Sequence, residues 1–171
     1  MSWFFDSPEK VAELRERAAQ WIGTPFFPNA MVRGTGVSCQ KLAAGILQEC
    51  GVFPEGYVIP SGPMTWGRHN STSLIAAEMD SLPQFTKVFG SGVSVGGEES
   101  PSGQAEASEP FQLMPGDLIG YRVGACIQHV GLALGSQTGI HVMRHQTAEY
   151  YCTLDASFLS RMEAVWRPNA G

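Results

Sequence analysis

The side chains best suited to nucleophilic chemistry in this chain of 171 residues are its four cysteines and four histidines. A thiol attacks as its thiolate, and a helix N-terminus favours the thiolate because its unpaired N–H groups carry partial positive charge. Cys39 is the one cysteine at the start of a predicted helix. We therefore take Cys39 as the candidate nucleophile, and expect Cys50, Cys126 and Cys152 to be small core residues.

A nucleophilic cysteine needs an imidazole to take its proton, and a third polar group to fix the tautomer of that imidazole. His129 begins the run HVGLALG, whose alternation puts it on one strand face with Gly131 and Ala133. We expect these small neighbours to leave room for a substrate beside the ring. The next strand carries His141 and His145 at the same parity, so a hairpin can present either one beside His129. The pattern leaves the third residue open between them, and ordinary packing histidines remain the alternative.

Three helices are expected to precede the strands. The first spans residues 8 to 22, because Ser7 and Pro8 are typical of a helix start and Gly23 of a stop. The second begins at Ser38 or Cys39 and ends at Gly51. An alanine-rich segment at 71 to 82 predicts a short third helix that Pro83 ends.

After these helices the apolar period changes to two, which is typical of strands. Five segments show it, and together they predict an α+β fold in which N-terminal helices pack on a five-stranded antiparallel sheet; the segments are LMPGDLIGYR, IQHVGLALG, GIHVMRHQ, EYYCTL and AVWRP. Residues 90 to 110 are rich in Gly, Ser and Glu and predict a flexible acidic loop. The length predicts one domain over residues 1 to 171.

Charge and hydropathy exclude several functional classes. The chain has 16 acidic against 11 basic residues, which argues against binding a nucleic-acid backbone. No apolar run is long enough to span a bilayer, and the opening residues lack the basic segment of a signal peptide. We expect synthesis in the cytoplasm and, if the protein acts in the periplasm or cell wall, delivery by another assembly. The low cysteine density predicts reduced thiols.

Five motifs occur in an order that matches a known family. They are GTPF at 23 to 26, GVSCQKLA at 36 to 43, MPGDLIGYR at 114 to 122, QHVGLALG at 128 to 135 and IHV at 140 to 142. In this order the chain resembles the NlpC-type cysteine peptidases, a branch of the papain-like proteins. The resemblance covers nearly the whole chain and implies a papain-like fold and hydrolysis of an amide bond in peptidoglycan stem peptides, without a metal or organic cofactor.

The resemblance also implies roles for individual residues. Cys39 matches the nucleophile of the family, His129 its catalytic base and His141 its third, orienting residue. A further set is expected to contact the substrate: Phe26, Ser38, Gln40, Trp66 and Gln128.

Four positions depart from the usual family pattern. Ser38 stands where an acid usually precedes the cysteine, and Gln40 and Lys41 replace the small residues that usually follow it. Phe26 replaces a tyrosine, so a hydroxyl that could help to bind the oxyanion is absent. Losing one such donor costs on the order of a hundredfold in rate.

The loop around Trp66, the alanine-rich helix and the closing VWRP are similar to short versions encoded among phage tail genes. This likeness implies a phage or prophage origin and tail or secretion-apparatus proteins as partners. Two alternatives keep the same scaffold: a structural component that has lost turnover, and a delivered toxin that performs acyl transfer or deamidation. A zinc site formed by Cys39, His129 and His141 is a further alternative, although no closely spaced ligand pair supports it.

Overall fold

A computed structural model describes residues 2–54, 56–63, 70–91 and 111–170 of the chain. In chain order, its elements are α1 (Pro8–Ala19), β1 (Met31–Val32), β2 (Gly36–Val37), α2 (Cys39–Glu49), α3 (Leu74–Ser81), β3 (Phe85–Gly90), β4 (Leu118–Val123), β5 (Cys126–Ala133), β6 (Thr138–His141), β7 (Glu149–Cys152), α4 (Ala156–Leu159) and β8 (Met162–Pro168). No helix in this described part is both long enough and apolar enough to cross a membrane.

The main sheet confirms the α+β prediction but has six strands instead of five. Its order is β3-β8-β4-β5-β6-β7, and every neighbouring pair is antiparallel. The additional strand is β3, at the edge beside β8. A register shift between Lys87 and Phe89 interrupts the alternation in this segment, so the period-two signal that identified the other strands is absent there.

Several predicted boundaries move inward. Helix α1 ends at Ala19, three residues before the expected end, and α2 ends at Glu49, followed by Gly51 at φ +80°. Strand β6 ends at His141, because the chain turns through His145 at a φ of +67°. Of the predicted acidic loop, Gly90 belongs to β3, and residues 92 to 110 lie outside the described residues.

The core lies on both faces of the sheet. Helix α2 covers one face, where Leu42 and Ile46 belong to the same buried cluster as Leu132 and Ile140. Neighbouring strand residues with the opposite orientation form a smaller cluster on the other face; these are Ile119, Tyr121, Ala133 and Val165, with Tyr151 and Phe158 packed against them. Burial of α2 on β5 and β6 is what fixes the position of its N-terminus.

The turn before β4 is held by a buried ion pair. Arg167 on β8 donates two hydrogen bonds to the carboxylate of Asp117, at 2.7 and 2.8 Å, and a third at 3.1 Å to the carbonyl of Gln112. The Asp117 side chain also accepts the N–H of Met114 at 2.8 Å. The aspartate of the PGD motif is therefore a structural residue that joins β4 to β8.

Replacing Arg167 with methionine is expected to lower the free energy of unfolding by about 3–5 kcal/mol, because it leaves the Asp117 carboxylate buried without a cation. Urea unfolding measures this loss. Arg122→Met is the matched control, since Arg122 pairs with Glu163 at the surface and should cost less than about 1 kcal/mol. Equal losses in the two variants would contradict a special role for the buried pair.

Candidate active site

Cys39 is the first residue of α2, and the chain enters this helix through a short bridge. Phe26 pairs with Val37, and the N–H of Ser38 donates to the carbonyl of Ala30 at 3.1 Å. Ser38 is the N-cap in extended conformation, but its hydroxyl makes no capping hydrogen bond. The first turn of the helix therefore presents N–H groups that side-chain capping does not occupy.

The thiol of Cys39 lies against the main chain of β5. It donates to the carbonyl of Gln128 at 3.9 Å, and the N–H of Val130 is directed at the sulfur. The N–H of Leu134 donates to the carbonyl of Thr138. The main-chain N–H and C=O groups of even-numbered residues in this part of β5 therefore point toward β6. The thiol therefore occupies the side of β5 on which β6 would continue the ladder.

The hydrogen-bonded ladder between β5 and β6 is short, so it leaves the β6 side of β5 open at Gln128 and Val130. Only two residue pairs join the strands, Leu132 with Ile140 and Ala133 with Gly139. On the other side, β5 remains paired with β4, where His129 lies opposite Tyr121. The departure of β6 from β5 thus creates a gap beside His129, and the start of α2 enters it.

Across the same gap, His129 and His141 are hydrogen-bonded to each other. Nε2 of His129 and Nδ1 of His141 are 3.1 Å apart, and the two residues are 7% and 2% exposed. This bond leaves Nδ1 of His129 as the nitrogen available for exchanging a proton with a nucleophile. The structure brings His141 to His129, whereas His145 is exposed in the following turn.

Aromatic rings hold the histidine pair. The ring of Tyr151 stacks on His141 at 4.2 Å and 12°, and Tyr121 stacks on His129 at 5.8 Å and 25°. The two tyrosine hydroxyls hydrogen-bond to each other at 2.7 Å, which links the ring that packs on His129 to the ring that packs on His141. Phe158 meets the His141 ring edge-on at 5.2 Å. Both imidazole planes are therefore fixed by packing.

The small residues next to His129 serve this packing and not a substrate. A Cβ on Gly131 would clash with the hydroxyl of Tyr151, and a Cβ on Gly139 would lie 2.6 Å from its ring. The expectation of free space beside His129 is wrong at Gly131, because Tyr151 from β7 fills it. Tyr121 and Tyr151 were not identified from the sequence, although the alternation of EYYC could have placed Tyr151 on the face of His141.

Burial favours the neutral forms of Cys39 and His129. It raises the pKa of the Cys39 thiol, and the N–H groups of Val130, Gln40 and Cys39 only partly oppose it. It also lowers the pKa of His129 to about 3, helped by repulsion from His141. The expected lowering of the thiol pKa at the helix start is thus outweighed by desolvation. The thiol and the His129 imidazole do not hydrogen-bond to each other in this structure.

The remaining predicted residues surround this site to different degrees. The main-chain carbonyl of Gln128 accepts the hydrogen bond of the Cys39 thiol. Ser38 and Gln40 flank Cys39 and are half-buried. Phe26 lies farther out, on the wall of a cavity. Trp66 lies outside the described residues.

That cavity is an open depression of about 580 Å³ at the edge of the site. It is lined by Pro25, Phe26, His145, Gln146, Thr147 and Glu149. Glu149 was also not identified from the sequence. Its Oε1 lies 3.7 Å from Nε2 of His141, so the cavity wall reaches the histidine pair.

The other thiols are placed away from this chemistry. All four cysteines are unpaired; Cys50 and Cys126 are buried, as expected of core residues, but Cys152 is exposed at the edge strand β7. The prediction of a core role is therefore wrong for Cys152. In the described ranges, no group of three or more His, Cys, Asp or Glu side chains is arranged to hold a metal ion.

Comparison with solved structures identifies the fold. The chain is similar to a lipoprotein-like protein of the NLP/P60 family from Staphylococcus aureus subsp. aureus Mu50, with a TM-score of 0.61 and 14% identity over 100% of this chain. It spans 45% of the length of that protein. It is also similar to the NlpC/p60 domain of the peptidoglycan hydrolase SagA, with a TM-score of 0.50 and 16% identity, over 91% of this chain and 96% of that domain. The fold is thus the NlpC/P60 fold.

Comparisons of sequence add no relative. The chain matches no protein-family model and no curated protein.

Alkylation of Cys39 by iodoacetamide is expected to be slow at pH 7 and to keep accelerating above pH 9, because burial raises the thiol pKa and only the thiolate reacts. Mass spectrometry of individual peptides measures the rate as pH varies. The exposed Cys152 in the same molecule is the internal control. A Cys39 rate that has already reached its plateau at pH 7 would show a preformed thiolate.

Proposed function

We propose that this protein is a papain-like cysteine peptidase or amidase that hydrolyses an amide bond of peptidoglycan stem peptides through a thioester on Cys39. The observation that carries the proposal is that the Cys39 thiol contacts the main chain of Gln128 and Val130, the two neighbours of His129, and that His129 is hydrogen-bonded to His141. The similarity to the SagA domain, which is described as part of a peptidoglycan hydrolase, supports the substrate class.

In the first half of the reaction, the sulfur of Cys39 attacks the carbonyl carbon of the amide while Nδ1 of His129 takes the thiol proton. The main-chain N–H of Cys39 at the helix start stabilises the oxyanion. The C–N bond then breaks, and His129 returns the proton to the leaving amine. The product at this stage is an acyl thioester on Cys39.

In the second half, water replaces the amine. His129 takes a proton from the water, the resulting hydroxide attacks the thioester carbon, and the C–S bond breaks. The sulfur regains its proton, and a carboxylic acid leaves. His141 holds the His129 ring throughout by their hydrogen bond, so the His129 ring cannot turn away from the nucleophile.

The resting groups are both neutral, so the proton moves only when the substrate is bound. The thiol points to the carbonyl of Gln128 at rest, and rotation of the Cys39 side chain within the gap releases it toward the imidazole. Catalytic hydrogen bonds that are absent in a free enzyme commonly form in its substrate complex. Substrate entry, which excludes water from the gap, is the step that brings the pair together.

We further propose a phage or prophage origin, with delivery to the periplasm or cell wall by a tail or secretion apparatus. The similarity of the third helix and the closing VWRP to phage-tail versions supports this origin. A catalytically impaired structural component of such an apparatus is the second candidate. The raised thiol pKa and the phenylalanine at position 26 favour that candidate.

Incubation of purified peptidoglycan fragments with the protein is expected to release a new stem-peptide product, and Cys39→Ala should abolish it, because the variant has no nucleophile. Mass spectrometry of the fragments detects the product and identifies the bond from its mass. His129→Ala should lower the rate on the order of a hundredfold to ten-thousandfold.

Cys152→Ala, which changes an exposed thiol outside the site, is the matched control and should keep full activity. Release of ammonia without peptide cleavage would indicate deamidation. No product from any variant would favour the structural component.

The acid limb of kcat/KM is expected well below pH 6.5, the ordinary value of an imidazole. Burial lowers the pKa of His129 to about 3, so this base is expected to stay neutral and able to accept a proton as the pH falls through the usual range. Initial rates measured from about pH 4 to pH 8 test this. An acid limb near pH 6.5 would contradict the desolvation of His129.

A further inference from the structure

A carboxylate stands behind the histidine pair. His141 and Glu149 are direct partners in the ladder between β6 and β7, and Oε1 of Glu149 lies 3.7 Å from Nε2 of His141. The opposite nitrogen of the same ring, Nδ1, bonds His129. The three side chains therefore form a row in which each ring nitrogen of His141 has one neighbour.

Counting protons along this row shows what the carboxylate can decide. A neutral imidazole carries one proton, on either Nδ1 or Nε2. If His141 carries it on Nε2, its Nδ1 accepts from His129, whose own proton must then lie on Nε2. Nδ1 of His129 is left as a free base. If His141 carries its proton on Nδ1, every donor and acceptor is reversed, and Nδ1 of His129 cannot accept a proton.

We propose that Glu149 is the positioning residue that sets this direction, by holding the proton of His141 on Nε2 and so leaving His129 in the tautomer that can act as a base. This role rests on the proposed function of His129. Glu149 touches neither the nucleophile nor the scissile bond in this scheme. It acts through His141.

The other groups around His141 do not supply the same preference. Strand β5 contributes His129, which accepts or donates equally well, and β7 contributes Tyr151, whose ring stacks on the imidazole face. From α4, Phe158 has no charge to offer. Among the described residues that contact His141, Glu149 is the only carboxylate. The hydroxyls of Tyr121 and Tyr151 hydrogen-bond to each other instead.

The position of Glu149 at the edge of the cavity limits the strength of its effect. Its side chain is 51% exposed, so water and salt screen its charge, and the distance to Nε2 is longer than a hydrogen bond. A small rotation of this exposed side chain closes the distance. We therefore expect a moderate effect on rate, on the order of tenfold to a hundredfold, as is common for residues that orient a functional group from behind.

Imidazole nitrogen-15 NMR spectra of the full-length protein, without substrate, test the inference directly. The wild type should show the Nε2–H tautomer for both His129 and His141. Glu149→Ala should shift both rings toward Nδ1–H. Glu149→Gln should keep the wild-type pattern in part, because its amide oxygen still accepts a hydrogen bond but carries no charge. Unchanged tautomers in Glu149→Ala would overturn the proposal.

Glu163→Gln is the matched control, because it removes a partly exposed carboxylate from strand β8 of the same sheet, where the partner is Arg122. Its spectra and rates should match the wild type. In Glu149→Ala, kcat should fall while KM stays within about twofold, since the tautomer affects proton transfer and not ground-state binding. Partial recovery of kcat in Glu149→Gln is expected; an equal fall in the control variant would contradict the proposal.

The two readouts separate this inference from the proposed function. If the tautomers respond to Glu149 but the wild type hydrolyses no stem peptide, the proposed reaction fails and the control of the tautomers stands. If hydrolysis depends on Cys39 but the tautomers ignore Glu149, only the role of Glu149 fails.

Discussion

The separation of β6 from β5 after two paired residues is the constraint on which the site depends. It leaves main-chain groups of β5 without a strand partner beside His129, and the thiol of Cys39 contacts these groups in place of β6. Buried main-chain groups without a hydrogen-bond partner destabilise a fold, so the thiol also stabilises the sheet by contacting these groups. The packing of Leu42 and Ile46 of α2 on the sheet keeps this arrangement in register.

The same burial that builds the site also sets its chemistry. Desolvation disfavours both the Cys39 thiolate and the His129 imidazolium, so in the proposed reaction the resting pair is a neutral thiol and a neutral imidazole instead of an ion pair. A neutral pair costs less to bury than two charges. In the proposed reaction, the direction of the hydrogen bond between His129 and His141 then matters more than charge, because it decides which nitrogen of His129 can receive the proton.

Tight packing behind the histidines explains why small residues recur there. Gly131 and Gly139 admit the ring of Tyr151, which stacks on His141 and bonds Tyr121. These contacts come from four different strands. Precise placement of the imidazoles is therefore a property of the whole sheet, and the buried pair of Asp117 and Arg167 supports it by joining β4 to β8.

Local signals in the sequence determined the element types, the α+β class, Cys39 at a helix start and the strand positions of His129 and His141, because caps and apolar periods act over a few residues. Four elements, β1, β2, β3 and α4, were not predicted from the sequence. The bulge in β3 breaks the period of two, and the other three elements are only two to four residues long. Tertiary structure decided four other features. It placed His141 and not His145 beside His129, filled the space at Gly131, desolvated the Cys39 thiol and brought Glu149 close to His141. Each follows from which distant strands meet and how much water they exclude, and no local pattern encodes either quantity.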